Sequence, residues 1–155
     1  ADPTTVARLI DRGTMALPSF GNEDGLFPGS KAQGRITGSP LETPEERRAL
    51  AVLYTALLTS VCLDALRSKK LVILDGSFVR DPLYAALVAA FRSGCPTLFN
   101  LNSQGTAAGS ALLATHQTRT APVPIPLETP PALNLAGLTA YRSRWLDLAQ
   151  QIKTL

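Results

Sequence analysis

The sequence contains few of the residues that most often build a catalytic or metal site. It has one histidine, His116, and two cysteines, Cys62 and Cys95, in 155 residues. Neither cysteine belongs to a CxxC motif or lies near the histidine, so a zinc site is not expected. His116 has no carboxylate or thiol spaced for a catalytic triad. We expect both thiols to be buried in a reducing cytoplasm.

Several functional signatures are also missing. There is no GxxxxGK[ST] phosphate loop, and no pair of acidic residues is placed for acid–base chemistry. We therefore predict no catalytic residue and no metal ligand in this chain. No apolar run reaches the ~18 residues of a membrane span, so no membrane association is expected. The net charge is +3 and the cations are scattered. Only residues 67–70 form a cluster, at a predicted helix end, and nucleic-acid binding is not expected.

The composition is that of a folded globular domain. Hydrophobic residues make up 45% and charged residues 17% of the chain, which excludes a disordered protein. The length predicts a single domain, residues 1–155. The start, Ala1 to Thr5, resembles neither a signal peptide nor an initiator methionine. We expect it to be a cut inside a longer protein or a processed end.

Two segments carry strong signals for the start of a helix. Asp2 and Pro3 predict a helix that runs to about residue 12. Thr43, Pro44 and Glu46 form a capping box and predict a second helix, to about residue 67. This second helix is apolar on nearly every side, which favours packing between two layers. Binding of a partner is the alternative.

Two strand–loop–helix units follow. Residues 71–74 are a continuous apolar run, which is typical of a strand buried on both faces. Asp81 then caps a helix to about residue 92. Residues 96–101 form the next strand, and Thr106 is predicted to cap a helix to about residue 115. This order predicts an α/β fold in which parallel strands are flanked by helices.

The C-terminal part combines a proline-rich connector with a final helix. Residues 120–133 contain five prolines and are predicted to be stiff and extended. The helix is expected over about residues 135–152. Tyr141 and Trp145 share one face of it, and we predict that both pack in the core.

Two polar, glycine-containing loops are the best candidates for a ligand site. Residues 75–77 and 102–105 follow the two predicted parallel strands, and ligands of open α/β sheets bind beyond such strand ends. Helix N-termini there would favour an anion. The pattern indicates a nucleotide site, although ordinary strand-to-helix turns use the same residues. Gly105 and Gly109 fit either close packing on the sheet or an opening for the nucleotide.

Residues 71–83 resemble the adenosine-binding stretch of the FGGY carbohydrate kinases. In that family an apolar strand is followed by a Gly-Gly turn and by an asparagine before the next helix. Residues 104–114 are similar to the family's Gly-Ala-Ala-rich helix start. The long helix after Pro44 and the region from Met15 to Gly38 also correspond, in the family's order, over roughly residues 13–115.

The resemblance implies a partial actin-like ATPase domain, which is a ribonuclease H-like fold, and implies ATP and Mg²⁺ as cofactors. The chain would be the C-terminal domain, without the N-terminal domain that binds the sugar and holds the catalytic base. The residues that would contact the nucleotide are Gly76, Ser77, Phe78, Asp81 and Gly105. Ser77 replaces a family glycine, and Asp81 replaces an asparagine with a group that accepts but does not donate hydrogen bonds when ionised.

The implied activity is ATP-dependent phosphorylation of a sugar or polyol hydroxyl by the parent protein. The substrate would be bound mainly by the absent domain, and the isolated chain is expected to be inactive. The alternative is a non-catalytic half domain that acts in protein association or nucleotide sensing. Apolar cleft surface that is left exposed would also allow a homodimer.

Overall fold

The computed structural model describes residues 1–67, 69–102, 104–121 and 124–152. Within these ranges the helices are α1 (Pro3–Asp11), α2 (Pro44–Ala65), α3 (Pro82–Phe91), α4 (Gly105–Leu113) and α5 (Leu138–Gln150). The strands are β1 (Met15–Leu17), β2 (Arg35–Thr37), β3 (Val72–Leu74), β4 (Thr97–Asn100) and β5 (Leu127–Glu128). A short 3₁₀ turn, Ser77–Arg80, precedes α3.

The predicted caps of the first two helices are confirmed, with one change of partner. Asp2 caps α1, and the Thr43 hydroxyl accepts a hydrogen bond from the Glu46 backbone N–H at 3.2 Å. The Glu46 carboxylate reaches one residue further back than a capping box requires and accepts from the Glu42 N–H at 2.8 Å. It also pairs with Arg12 at 3.1 Å. The Glu42 N–H and the Arg12 charge both lower the pKa of Glu46.

Helix α2 is the central helix of the core, but it is buried on one face only. Leu53, Ala56 and Leu57 are buried, and the helix packs on α1, α3 and β1. On its outer face Ala51 and Cys62 are exposed, so the prediction of burial on nearly every side was wrong. The described residues leave that face uncovered. The prediction of buried cysteines was also wrong: Cys62 lies on this exposed face, and Cys95, in the turn before β4, is only half-buried.

No apolar run long enough to span a membrane was predicted from the sequence. The length and composition of α2 correct that prediction. Its 22 residues have a mean hydropathy of 1.4 over their most apolar window, which is enough for a helix to cross a membrane by these two criteria. Core helices of globular domains meet the same criteria. In α2, Leu53 and Leu57 pack against neighbouring elements, and 33% of the apolar window is buried.

The described strands form two sheets. β1 and β2 pair antiparallel. In the second sheet the order is β3-β4-β5, with β3 parallel to β4, as predicted, and β5 antiparallel to β4. β5 lies inside the proline-rich connector, where no strand was expected. Pro126 directly precedes these two residues and Pro130 follows after Thr129, so no proline interrupts the two-residue pairing.

Among the described residues, the second sheet is covered on one face only. Leu74 and Phe99 point into the core and are buried, whereas Ile73, on the opposite face, is 50% exposed. The prediction that residues 71–74 are buried on both faces was therefore wrong. The physical reason is α4, which contributes no buried residue in its described length and leaves the face open.

The predicted cap of α4 is wrong, whereas the predicted core face of α5 is confirmed. Gln104 is the residue before α4 and makes no capping bond, so Thr106 lies inside the helix and is not its cap. In α5 the predicted core face is confirmed, because Tyr141 and Trp145 are both buried. The Tyr141 hydroxyl donates to the Thr14 carbonyl and the Trp145 Nε1–H donates to the Ala16 carbonyl, each at 2.6 Å. These two hydrogen bonds hold α5 against β1 and the residue before it.

Candidate functional site

The two glycine-containing loops lie side by side at one edge of the second sheet. They follow β3 and β4, which are parallel neighbours, so both strands end at the same edge. The Asp75 carboxylate accepts a hydrogen bond from the Asn100 side-chain amide at 3.3 Å. A Cβ placed on Gly105 would lie only 1.9 Å from Oδ2 of Asp75. The two glycine-containing strand exits are therefore adjacent, as the sequence-based interpretation requires.

Glycine is required at positions 76 and 105 for different reasons. Gly76 has φ 101° and ψ −176°, a region that only glycine adopts without strain. A Cβ there would meet nothing within 4 Å, so the space beside this turn is open. Gly105 makes room for the Asp75 side chain. Its role in packing is visible, whereas its role toward a nucleotide remains a prediction.

A cavity of about 290 Å³ lies between the 3₁₀ turn, the start of α3 and the outer face of α2. This volume is at the lower limit for small-molecule sites and suits a single ring system such as a nucleobase. The residues that line the cavity are Arg48, Ala51, Val52, Thr55, Ser77, Phe78, Arg80, Asp81 and Tyr84.

Three of the five predicted site residues meet in this cavity. They are Ser77, Phe78 and Asp81, and Gly76 immediately precedes them in the chain. Gly105 does not line the cavity; it belongs to the neighbouring loop. The Phe78 ring is 61% exposed and lies 5.8 Å from the Tyr84 ring, tilted by 42°. An exposed aromatic face at the mouth of a cavity is suited to stacking on a planar ring.

Asp81 has a defined structural role in the cavity wall. It caps α3 by accepting a hydrogen bond from the Leu83 N–H at 3.2 Å. Its other oxygen pairs with Arg48 at 3.3 Å. The positive charge of Arg48 beside this carboxylate reduces its repulsion of a nearby phosphate. Arg80 adds a further positive charge to the lining.

Sequence reasoning missed the contribution of α2 to this cavity. Arg48, Ala51, Val52 and Thr55 are spaced by three and four residues, so they occupy one face of the helix. The spacing was visible in the sequence, but the whole helix was interpreted as buried. Asp75 was also passed over, because its contacts with Asn100 and Gly105 bring together residues that are 25 and 30 positions away.

The described part of the chain offers no metal centre. No group of three or more histidine, cysteine, aspartate or glutamate side chains is close enough to hold an ion there.

Comparison with known protein families identifies the chain. The model of the carbohydrate kinase FGGY C-terminal domain matches residues 1–122. The chain belongs to the FGGY carbohydrate kinase family, as a C-terminal domain. A search of curated proteins returned no significant match.

The FGGY domain also has a similar solved structure, the crystal structure of a carbohydrate kinase from Novosphingobium aromaticivorans. The TM-score is 0.71 and the sequence identity 24%. The alignment covers 96% of the present chain and 30% of that kinase, so the chain spans about a third of its length. This likeness and the mixed α/β architecture agree with the actin-like ATPase fold that the sequence resemblance implied.

Proposed function

We propose that this FGGY domain is the nucleotide-binding part of an ATP-dependent carbohydrate kinase, and that the cavity beside α2 receives the adenine base. The observation that carries the proposal is the contact between the two glycine-containing loops at the carboxyl ends of β3 and β4. Ligands of α/β folds bind at such an edge. The adjacent cavity has a suitable size and an exposed aromatic ring.

In this proposal four side chains of the cavity, and the glycine beside it, have a task in binding. Phe78 stacks on the base, and the open space at Gly76 admits the sugar ring of the nucleotide. Arg48 and Arg80 offset the negative charge of the phosphates. Asp81 holds the start of α3 and positions Arg48. The chain thus binds and orients the nucleotide, and a base elsewhere in the parent protein removes the proton from the attacking hydroxyl.

The cofactors proposed are ATP and Mg²⁺, with a sugar or polyol as the acceptor. The cavity residues fit the nucleoside of ATP. When bound, Mg²⁺ would offset the negative charge that develops during phosphoryl transfer. We assign no residue of this chain to the metal, because the described residues contain no suitable cluster. A cytoplasmic setting is proposed, since both cysteines are free thiols.

Calorimetric titration of the full-length protein with ATP tests the proposal. Phe78→Ala should weaken ATP binding about tenfold, because a stacked aromatic ring contributes about 1–3 kcal/mol per base. Phe20→Ala is the matched control, since Phe20 is 54% exposed but lies outside this cavity. Absence of ATP binding to the wild-type protein would contradict the proposed function. An equal effect of the two variants would place the base elsewhere.

Turnover is tested separately, by coupling ADP release to a panel of sugars and polyols. We expect activity from the full-length protein and none from residues 1–155 alone, because we find no candidate catalytic base in this chain. Phosphorylation of any acceptor by the isolated chain would contradict the prediction that this chain needs the rest of the parent protein for catalysis.

A further inference from the structure

The Asp75 side chain makes contacts in both loops of the proposed nucleotide site. One carboxylate oxygen accepts a hydrogen bond from the Gly76 N–H at 2.6 Å. The other accepts from the Asn100 side-chain amide at 3.3 Å. Asn100 is buried at the end of β4 and its own oxygen accepts from the Asn102 N–H at 3.1 Å, which fixes the direction of the amide. Asp75 thus links the exit of β3 to the exit of β4.

The same carboxylate rests against the first residue of α4. At Gly105 a Cβ would lie 1.9 Å from Oδ2 and 3.0 Å from Cγ of Asp75. Such distances are far below van der Waals contact, so any side chain at this position displaces Asp75. The carboxylate also lies at the N-terminal end of α4, where a negative charge is favourable. This matters because Gln104, the residue before α4, makes no side-chain capping bond.

We infer that Asp75 is a positioning residue, which sets the distance and orientation between the Gly76 turn and the start of α4. The inference rests on the proposed function, since these are the two loops assigned to the nucleotide. Asp75 acts through Gly76, Asn100 and Gly105 and does not need to touch the ligand. A nucleotide that contacts both loops would then be bound weakly when the link is removed, because the loops would have to be ordered on binding.

A double-mutant cycle in the full-length protein tests the link. Asp75→Ala removes the carboxylate, and Gly105→Ala pushes it away. We expect each single variant to raise the KM for ATP about tenfold, with kcat changed less than about twofold, because the chemical groups lie elsewhere. The double variant should resemble Asp75→Ala alone, since the added methyl then has no carboxylate to displace.

Gly21→Ala is the matched control, because a Cβ there also meets nothing within 4 Å and Gly21 lies outside both loops. Its KM for ATP should equal that of the wild type. Additive effects, with a KM about a hundredfold higher in the double variant, would overturn the inference. Unchanged KM values in both single variants would also overturn it, as would a fall in thermal stability with no change in KM.

Hydrogen exchange separates this inference from the proposed function. If the wild-type protein binds no ATP, the proposed function fails, but the link between the loops can still be measured. The Ala108 amide donates to the Gln104 carbonyl at 2.9 Å in the first turn of α4. Its exchange should accelerate about tenfold in Asp75→Ala and in Gly105→Ala, without a further increase in the double variant. Unchanged exchange would overturn the link itself.

Discussion

At residue 76 the backbone conformation, and not the available space, restricts the choice of amino acid. Gly76→Ala should destabilise the domain by about 1–3 kcal/mol, because alanine is strained at a φ of 101° although its Cβ would meet no neighbour. Urea unfolding followed by circular dichroism measures the change. Gly21→Ala is the control, since its Cβ also meets nothing and its φ is not in the positive region. Equal unfolding midpoints for the two variants would show that the turn relaxes without cost.

Tyr141 predicts a specific response to alkaline pH. Burial raises the pKa of Tyr141 well above its ordinary value of 10.0. The unfolded chain therefore loses this proton first, so stability is unaffected by Tyr141 below about pH 10 and falls as the pH rises further. Tyr141→Phe should remove part of this dependence of stability on pH. The rest should remain, because burial also raises the pKa of Tyr54.

The same variant has a second effect at neutral pH. Without the phenol, the Thr14 carbonyl loses its donor, and Tyr141→Phe should cost about 1–3 kcal/mol. Urea unfolding at a series of pH values from about 8 to 11 measures both quantities. A variant with the wild-type stability and the wild-type alkaline slope would contradict both assignments.

At the scale of single elements, the start of α2 is stabilised by the charge of Glu46. Its pKa is lowered below the ordinary 4.5, chiefly by the Glu42 N–H and also by Arg12. This contribution is present above pH 4.5 and is lost as the pH falls through the folded-state value. Glu46→Gln should therefore have a smaller free energy of unfolding than the wild type at neutral pH. The difference between the two free energies should decrease as the pH falls. The control is Glu45→Gln, at an exposed neighbouring position.

The two faces of α2 should also tolerate charge differently. Leu53→Asp should prevent folding, because Leu53 is fully buried and a carboxylate there would have no partner. Ala51→Asp, on the exposed face of the same helix, should fold. Circular dichroism of the purified variants measures this. Equal tolerance of both substitutions would contradict the assignment of α2 as a core helix.

Local signals in the sequence predicted most elements, because they depend on residues close in the chain. Asp2, Thr43 and Asp81 cap the helices for which they were chosen. The parallel pairing of β3 and β4 followed from the alternation of strands and helices. Burial was predicted less well. The open faces of α2 and β3 depend on which other segments cover them, and apolar composition alone does not reveal a missing cover.

The candidate site shows the same division between local and distant information. Ser77, Phe78 and Asp81 were predicted and meet in one cavity, because they follow each other in the chain. The α2 wall and the Asp75–Asn100 contact were missed, since both depend on tertiary packing. The resemblance to the FGGY family compensated for this at the level of the fold, which it predicted correctly, but it contained no information about these contacts.

At the scale of the whole molecule, the open face of the second sheet predicts self-association of the isolated chain. Leu71 and Ile73 are 49% and 50% exposed on this face, and apolar surface of this kind favours association. Sedimentation at several concentrations should show a monomer–dimer equilibrium for residues 1–155. Replacing Leu71 and Ile73 with serine should abolish it. Leu26→Ser, at a loop residue that is 44% exposed, should not. A monomeric wild-type chain would contradict this prediction.

The position of the chain's single tryptophan has a practical consequence. Trp145 is fully buried and meets the rings of Phe27 and Tyr54 edge-on, at 5.6 and 6.3 Å. Its indole also holds the C-terminal helix against a strand near the beginning of the chain. The tryptophan fluorescence of residues 1–155 therefore comes from a probe where the C-terminal helix meets β1. A shift of its emission to longer wavelength would report their separation without any attached dye.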